Sequence, residues 1–270
     1  VGRFLIRRLL VSIITLVLIS MGVFSILALA PGDPLSGFAN NPSVPPELRQ
    51  RLREQLGIDD PIHEQYVKWA NQYVRGNWGQ SYTSRSPVTE VVFNRLPVTL
   101  AISGSALILS LLIAIPVGVI SALKQYSVFD QVSTTIAFLG FSVPTFFSGL
   151  VLIIIFSVKL GWLPFIFDRT TTGLWPNIQQ AIMPVAVLGL FSAASTMRFV
   201  RASMLEVINQ DYIRTARAKG LKERSITIAH AMRNAMIPVV TIVALQIPGV
   251  FGGAVITEQI FRIPGIGALL

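Results

Sequence analysis

The chain reads as an all-α polytopic membrane protein, and three observations lead there. Uncharged, mostly apolar runs long enough for an α-helix to cross a hydrocarbon core of about 30 Å occur five times. Charged residues make up only 13% of the chain, about half the roughly 25% that solvates an ordinary soluble surface. The net charge of +9 is gathered in short segments between the apolar runs, which is how membrane topology is written into a sequence.

The first run, Leu9 to Gly32, follows Arg3, Arg7 and Arg8 and is taken as a span over about 9–30. Ala28-Leu29-Ala30 resembles a signal-peptide cleavage site. The apolar stretch, however, exceeds the roughly 7–15 residues of a signal h-region, and Pro31 follows the supposed cut. The span is therefore read as retained. The other spans fall at about 96–123, 132–157, 178–197 and 235–257. The fourth is shortened at its start because TTGLWPNIQQ is polar. Prolines 116, 144, 184, 238 and 248 sit in these runs; neighbouring helices in a membrane bundle can re-satisfy the backbone groups they free.

Orientation follows the Lys/Arg bias of short loops. Arg3, Arg7 and Arg8 put the N-terminus in the cytoplasm, and alternation puts the 198–234 loop there too. That loop carries eight basic against three acidic residues, whereas the external 31–95 loop carries seven of each. All four tryptophans, Trp69, Trp78, Trp162 and Trp175, then lie on the outer side. Five spans leave the C-terminus outside, so a sixth span is expected after residue 270.

Two short helical patterns occupy the external loop. The first runs from Pro46 to Leu56 and stops at Gly57; the second takes Asp60 as N-cap and Pro61 as its first helical residue, ending near Gly76. Ile62, Tyr66, Trp69 and Tyr73 share one face of the second. That face suits packing against the ends of the spans, or docking of an external partner.

Catalytic signatures are absent. No phosphate loop occurs, since Gly220 is followed by Leu-Lys-Glu-Arg. His63-Glu64 is not followed by the zinc-protease spacing, and His230 is the sole other histidine. Neither G-x-S-x-G nor any cysteine is present. No catalytic, cofactor-binding or metal residue is therefore assigned. The span interiors hold no Asp, Glu, Lys, Arg or His, although ion-coupled transporters generally keep such residues there. The small-residue pairs Ala114/Gly118 and Gly249/Gly253 suit close helix packing.

The segment DYIRTARAKGLKERSITIAHAMRNAMIP (211–238) is the functional candidate. Topology accounts for its charge, and so does a polybasic patch on anionic lipid. Neither accounts for Ala216 and Ala218 alternating with long side chains, or for Gly220 placed as a helix C-cap. Glu223 to Met232 then suits a second short helix leading into the last span. A helix–glycine–helix of this kind fits a cleft on another protein.

This segment resembles the EAA loop of binding-protein-dependent ABC importer permeases. Set on Gly220, Ala216 matches the second Ala, Thr215 replaces the first, and Arg214 takes the Glu position. His230 to Asn234 is similar to the loop's closing His-x-Leu-Pro-Asn, with Met232 for Leu and Arg233 for Pro. The departures suit the peptide branch, the first permease subunit of dipeptide, oligopeptide and nickel importers. Resemblance to that branch covers nearly the whole chain: RRLL at the N-terminus, APGDP from Ala30, GIDDPIHEQYVKW from Gly57, RLPVTL from Arg95, VPTFFSGL from Val143 and EQIFRIPGIGALL from Glu258.

The resemblance implies a single permease domain over 1–270 with the type I ABC importer transmembrane fold, in a bacterial inner membrane. It implies half of a pathway for di- or oligopeptides, and not an enzyme. The expected partners are a second homologous permease, two ABC ATPase subunits, an extracytoplasmic peptide-binding protein and the lipid bilayer, with no nucleic acid. ATP and magnesium belong to the ATPases, leaving no cofactor in this chain. The ATPase-coupling element is expected over Arg214, Thr215, Ala216, Arg217, Ala218, Lys219, Gly220, Leu221 and Lys222. Phe141, Ser142 and Gln246 are candidates for the substrate pathway. Competing readings are a nickel or other small-solute permease, an ATP-independent secondary transporter and a membrane scaffold without transport.

Overall fold

A computed structural model describes residues 2–29, 57, 60–81, 84, 86–252 and 254–269. The helix expected over Pro46 to Leu56 and the APGDP motif lie outside the described residues. The described residues are almost all helical, with one isolated β-bridge between Gln80 and Pro87. Two compact units, Val1–Val91 and Val92–Leu270, can be described separately.

In the first unit, α1 (Gly2–Leu29) is a single helix with no buried residue; beyond Arg3, Arg7 and Arg8 it carries no charge and is mostly apolar all round, the pattern of a membrane-crossing helix. The shorter α2 (Ile62–Val74) lays its aromatic face on one end of α1. Tyr66 Oη and Ser20 Oγ are 2.8 Å apart, and the Phe24 ring contacts those of Tyr66 and Trp69. Trp69, Tyr73 and Trp78 continue as a run of near-parallel rings. The expected cap is corrected. Pro61, not Asp60, occupies the N-cap position, and no side chain caps the helix. The Asp60 carboxylate is engaged by Lys68 instead, and this hydrogen bond raises the Lys68 pKa above its ordinary value.

The second unit begins within α3 (Val88–Leu123), which starts well before the expected residue 96. Helix α4 (Val128–Ser142) has Ser127 as N-cap, its hydroxyl accepting from the Asp130 N–H at 3.3 Å. The expected span 132–157 is not one straight helix. At Val143-Pro144 the chain turns by 98° into α5 (Thr145–Leu152), which continues as a π-helix over Ile153–Lys159. A residue before proline is pushed out of the helical region, and Val143 accordingly takes φ −84°, ψ 124°.

Helix α6 (Leu174–Ile208) corrects the fourth span in both directions, because it extends beyond 178–197. Residues 198–208, read as the start of a loop, are its final turns. Val200 and Met204 are fully buried there, so packing continues the helix past the charged positions. After α6 come α7 (Asp211–Ala218), a single turn at Glu223–Ser225, a π-helical stretch Ile226–Met232, α8 (Arg233–Gly252) and α9 (Val255–Ile260).

Small residues let α3 and α6 approach. Ala114 is fully buried, and a Cβ on Gly118 would stand 2.7 Å from Val200 and 2.9 Å from the Met197 carbonyl. Of the other expected packing pair, Gly253 lies outside the described residues; a Cβ on Gly249 would meet nothing within 4 Å, and Gly249 borders a cavity. Gly189 makes the second close approach instead, towards Leu109 and the Ala106 carbonyl. This unit has a basic end formed by residues 124–127 and 209–232, and an opposite end formed by 160–173 and 261–269.

Candidate functional site

At the basic end, the 211–222 segment folds as a short helix closed by a glycine. Gly220 takes φ +75°, a conformation that side chains disfavour. Its N–H donates to the Arg217 carbonyl at 2.9 Å, and the Leu221 N–H donates to the Ala216 carbonyl at 3.3 Å. These two bonds make a Schellman motif, which satisfies carbonyls the helix end leaves open. Arg217 then bridges the bend, its Nε and Nη2 donating to the Glu223 carboxylate at 2.8 and 3.4 Å.

The helix has a seat and an outward face. Ile213 is fully buried and Ala216 nearly so, packed with Val200, Met204, Ile226, Ala231 and Ala235. Ala216, expected in the coupling element, therefore belongs to the seat. Arg214, Thr215, Arg217, Ala218, Lys219, Gly220, Leu221 and Lys222 are exposed. Two hydrogen bonds tie this end together: Asn234 Nδ2 donates to Tyr212 Oη at 2.9 Å, and Ser203 Oγ donates to the Ala235 carbonyl at 2.6 Å.

An ion pair that the sequence reading missed stands beside this seat. Asp130 at the start of α4 is 3% exposed. Arg201 on α6 grips it with Nε at 2.6 Å and Nη2 at 2.8 Å, and the Tyr126 N–H adds a third donor at 3.0 Å. One turn earlier, Arg198 lies over the Phe138 ring, 4.7 Å from its centroid. Both residues were visible as charges at span ends, but only the fold pairs positions so far apart in sequence.

The three pathway candidates separate. Gln246 lines a cavity of about 410 Å³ with Ser103, Leu107, Phe191, Ser192 and Ser195, and its Nε2 donates to Thr196 Oγ1 at 3.4 Å. Among the described residues, no charged side chain borders that cavity. Phe141 stacks on Phe191 at 5.7 Å between centroids, so it braces the wall without lining it. Ser142 lines neither this cavity nor the more apolar one of about 580 Å³ between α3, α4, α5 and α6. Its hydroxyl donates to the Phe138 carbonyl of its own helix.

At the opposite end, the EQIFRIPGIGALL segment folds back on α3. Arg169 Nη2 donates to the Pro264 carbonyl at 2.8 Å, and the Phe167 N–H donates to the Phe261 carbonyl at 3.1 Å. In the 160–173 loop, the hydroxyl and N–H of Thr170 donate to Asp168 and hold its carboxyl below the ordinary carboxylate range.

Residues 114–270 match the family described as binding-protein-dependent transport system inner membrane component. Residues 1–103 match the N-terminal family of binding-protein-dependent transport system membrane components. Relatives include the oligopeptide transport system permease protein AppB of Bacillus subtilis, 42% identical over 99% of this chain and 86% of the relative. The glutathione transport system permease protein GsiC of Escherichia coli K12 is 38% identical over 99% of this chain and 85% of its own length. The di/tripeptide transport system permease protein DppB of Pseudomonas aeruginosa is 36% identical, with coverages of 99% and 86%.

Proposed function

We propose, because the chain belongs to the family of binding-protein-dependent transport system inner membrane components, that it forms half of the pathway of an ATP-driven peptide importer. It is a multi-pass inner-membrane permease of the ABC type and is not itself a catalyst. In this reading a second homologous permease completes the pathway, two ATPases bind the basic ends of both, and a peptide-binding protein delivers cargo to the opposite face. The N-terminus and the basic end are cytoplasmic, in line with the Lys/Arg bias. The cargo assignment rests on relatives named for oligopeptide, glutathione and di/tripeptide transport, and these do not favour a nickel permease.

The observation that carries the coupling role is the build of α7. One face is locked into the buried cluster through Ile213 and Ala216, while Ala218, Lys219, Gly220, Leu221 and Lys222 stand exposed around the bend. A helix held from behind and bare in front can take a push from a partner and pass it to α6 and α8. ATP drives transport only if the ATPases grip this face differently in their two states, since equal affinity shifts no equilibrium. The cavity at Gln246 suits passage of a peptide, because among the described residues its lining carries hydroxyl and amide groups and no charge that would retain the cargo.

Gly220→Leu tests the docking face. Nothing lies within 4 Å of a Cβ at Gly220, so the fold loses only about 1–2 kcal/mol of backbone preference. The protein is expected to stay in the membrane at near-normal amount while peptide uptake into proteoliposomes falls to background. Gly220→Asn, which tolerates the left-handed conformation, should retain more uptake. Undiminished uptake by Gly220→Leu would remove this segment from the coupling role.

A further inference from the structure

A second polar constellation lies at the end of the unit away from α7. Glu258, in α9, is 1% exposed, and a carboxylate withdrawn from water is tolerated only when hydrogen bonds replace it. Thr99 Oγ1 donates to its Oε1 at 3.0 Å, and the Ala268 N–H donates to its Oε2 at 2.9 Å. Thr99 is also fully buried, and its Oγ1 accepts from the Ile266 N–H at 2.8 Å. The two side chains thus hold two amides of one loop, one directly and one through the threonine.

The loop is shaped around the carboxylate. A Cβ on Gly265 would lie 2.4 Å from the Glu258 carboxyl group, and one on Gly267 would lie 2.9 Å from Oε2 and 2.8 Å from the Val255 nitrogen. Glycine at both positions is what lets the backbone close on the acid. Arg95, one turn before Thr99 on α3, donates to the Gly265 carbonyl at 3.5 Å. The assembly adjoins the neutral cavity from both sides. Ser103, one turn after Thr99, and Ala254, one turn before Glu258, are lining residues.

We infer that Glu258 and Thr99 form a clamp that fixes α9 and the 263–268 loop to α3 and so positions Ser103 and Ala254 in the cavity wall during import. Both are positioning residues acting through the loop and α3, not through the cargo. With α9 and the loop joined to α3, Ser103 and Ala254 move together when the helices tilt, so this part of the wall survives the change of state. Without the hydroxyl, the Ile266 N–H and one carboxylate oxygen lose their partner, and the loop is held to α3 by little more than the long Arg95 contact to the Gly265 carbonyl. The inference rests on the peptide-import reading.

The test uses the whole reconstituted transporter with its binding protein. Thr99→Val keeps the side-chain shape and removes the hydroxyl. It should assemble in normal amount and keep its basal ATPase rate. The maximal rate of peptide uptake should fall about tenfold, the scale of a lost hydrogen bond to a charged group, with the KM for loaded binding protein unchanged. Thr99→Ser should restore the rate. The chain has no cysteine, so Ile266→Cys supplies a single thiol on this subunit. Its maleimide labelling in detergent should be about tenfold faster when combined with Thr99→Val, a loss of protection of the same size. Glu258→Ala leaves two donors facing a void and is expected to lower assembly, so the threonine variants decide. Native uptake and labelling in Thr99→Val, or a loss matching only the amount of assembled protein, would overturn the clamp. Failure of the unaltered transporter to import any peptide would instead overturn the function on which the inference stands.

Discussion

Asp130 and Arg201 show what one residue pair can contribute at the edge of a membrane fold. The guanidinium fork meets both carboxylate oxygens, a geometry that lysine cannot reproduce. Removing one member of a largely buried pair leaves the other uncompensated, at a cost of about 3–5 kcal/mol. Arg201→Ala should therefore lower the thermal midpoint of the detergent-solubilised protein sharply, and Arg201→Lys should recover only part of it. Combining Asp130→Leu with Arg201→Met should be milder than Arg201→Ala alone, because no orphan charge remains. Equal losses for the single and double variants would show that the charges themselves do not set the stability.

The elements are joined at points where regular winding stops. Val143-Pro144 breaks the third expected span into two half-helices, and π-helical turns lie after α5 and before α8. The second of these matters most, because Ile226–Met232 lies between the capped bend at Gly220 and α8. Ile226 and Ala231 within it are buried in the same cluster as Ile213. A displacement of α7 therefore reaches α8 through packed side chains as well as through the chain. Ile213→Ala would open a cavity under α7 and cost about 2–5 kcal/mol of local packing. Hydrogen exchange in residues 211–222 should speed up while that in α3 stays unchanged. Faster exchange throughout the second unit would instead make Ile213 a global core residue without a specific role in seating α7.

At the scale of the whole molecule, the apolar runs that form the spans hold no Asp, Glu, Lys, Arg or His in their interiors, and the charged residues fall in the segments between and beyond them. That division leaves no ionisable relay inside the spans for an ion gradient to drive. The expected outcome is strict: reconstituted uptake requires ATP and the ATPase subunits, and leaving out the ATPases abolishes flux. Sustained accumulation without them would end the coupling argument. Much of this organisation was legible in the sequence. Charge-free runs marked the apolar helices, and the spacing of Ala216, Ala218 and Gly220 marked the bend. The inward turn of Ala216 was not legible, because a helical residue's face becomes known only when its neighbours are placed. Helix ends were misjudged for a related reason. Arg198 and Arg201 read as loop charges until Phe138 and Asp130 supplied partners that let α6 continue.

The sequence by itself determined the class of protein, its apolar helices and the glycine-closed segment around Gly220, because hydropathy, charge and local backbone preference act over a few neighbouring residues. Tertiary structure alone decided which side chains meet: Asp130 with Arg201, Glu258 with Thr99, and Ile213 with the ends of α6 and α8. Those partners are separated by long stretches of chain. Burial in a low-dielectric interior leaves each polar group dependent on one particular partner, and no local pattern names it.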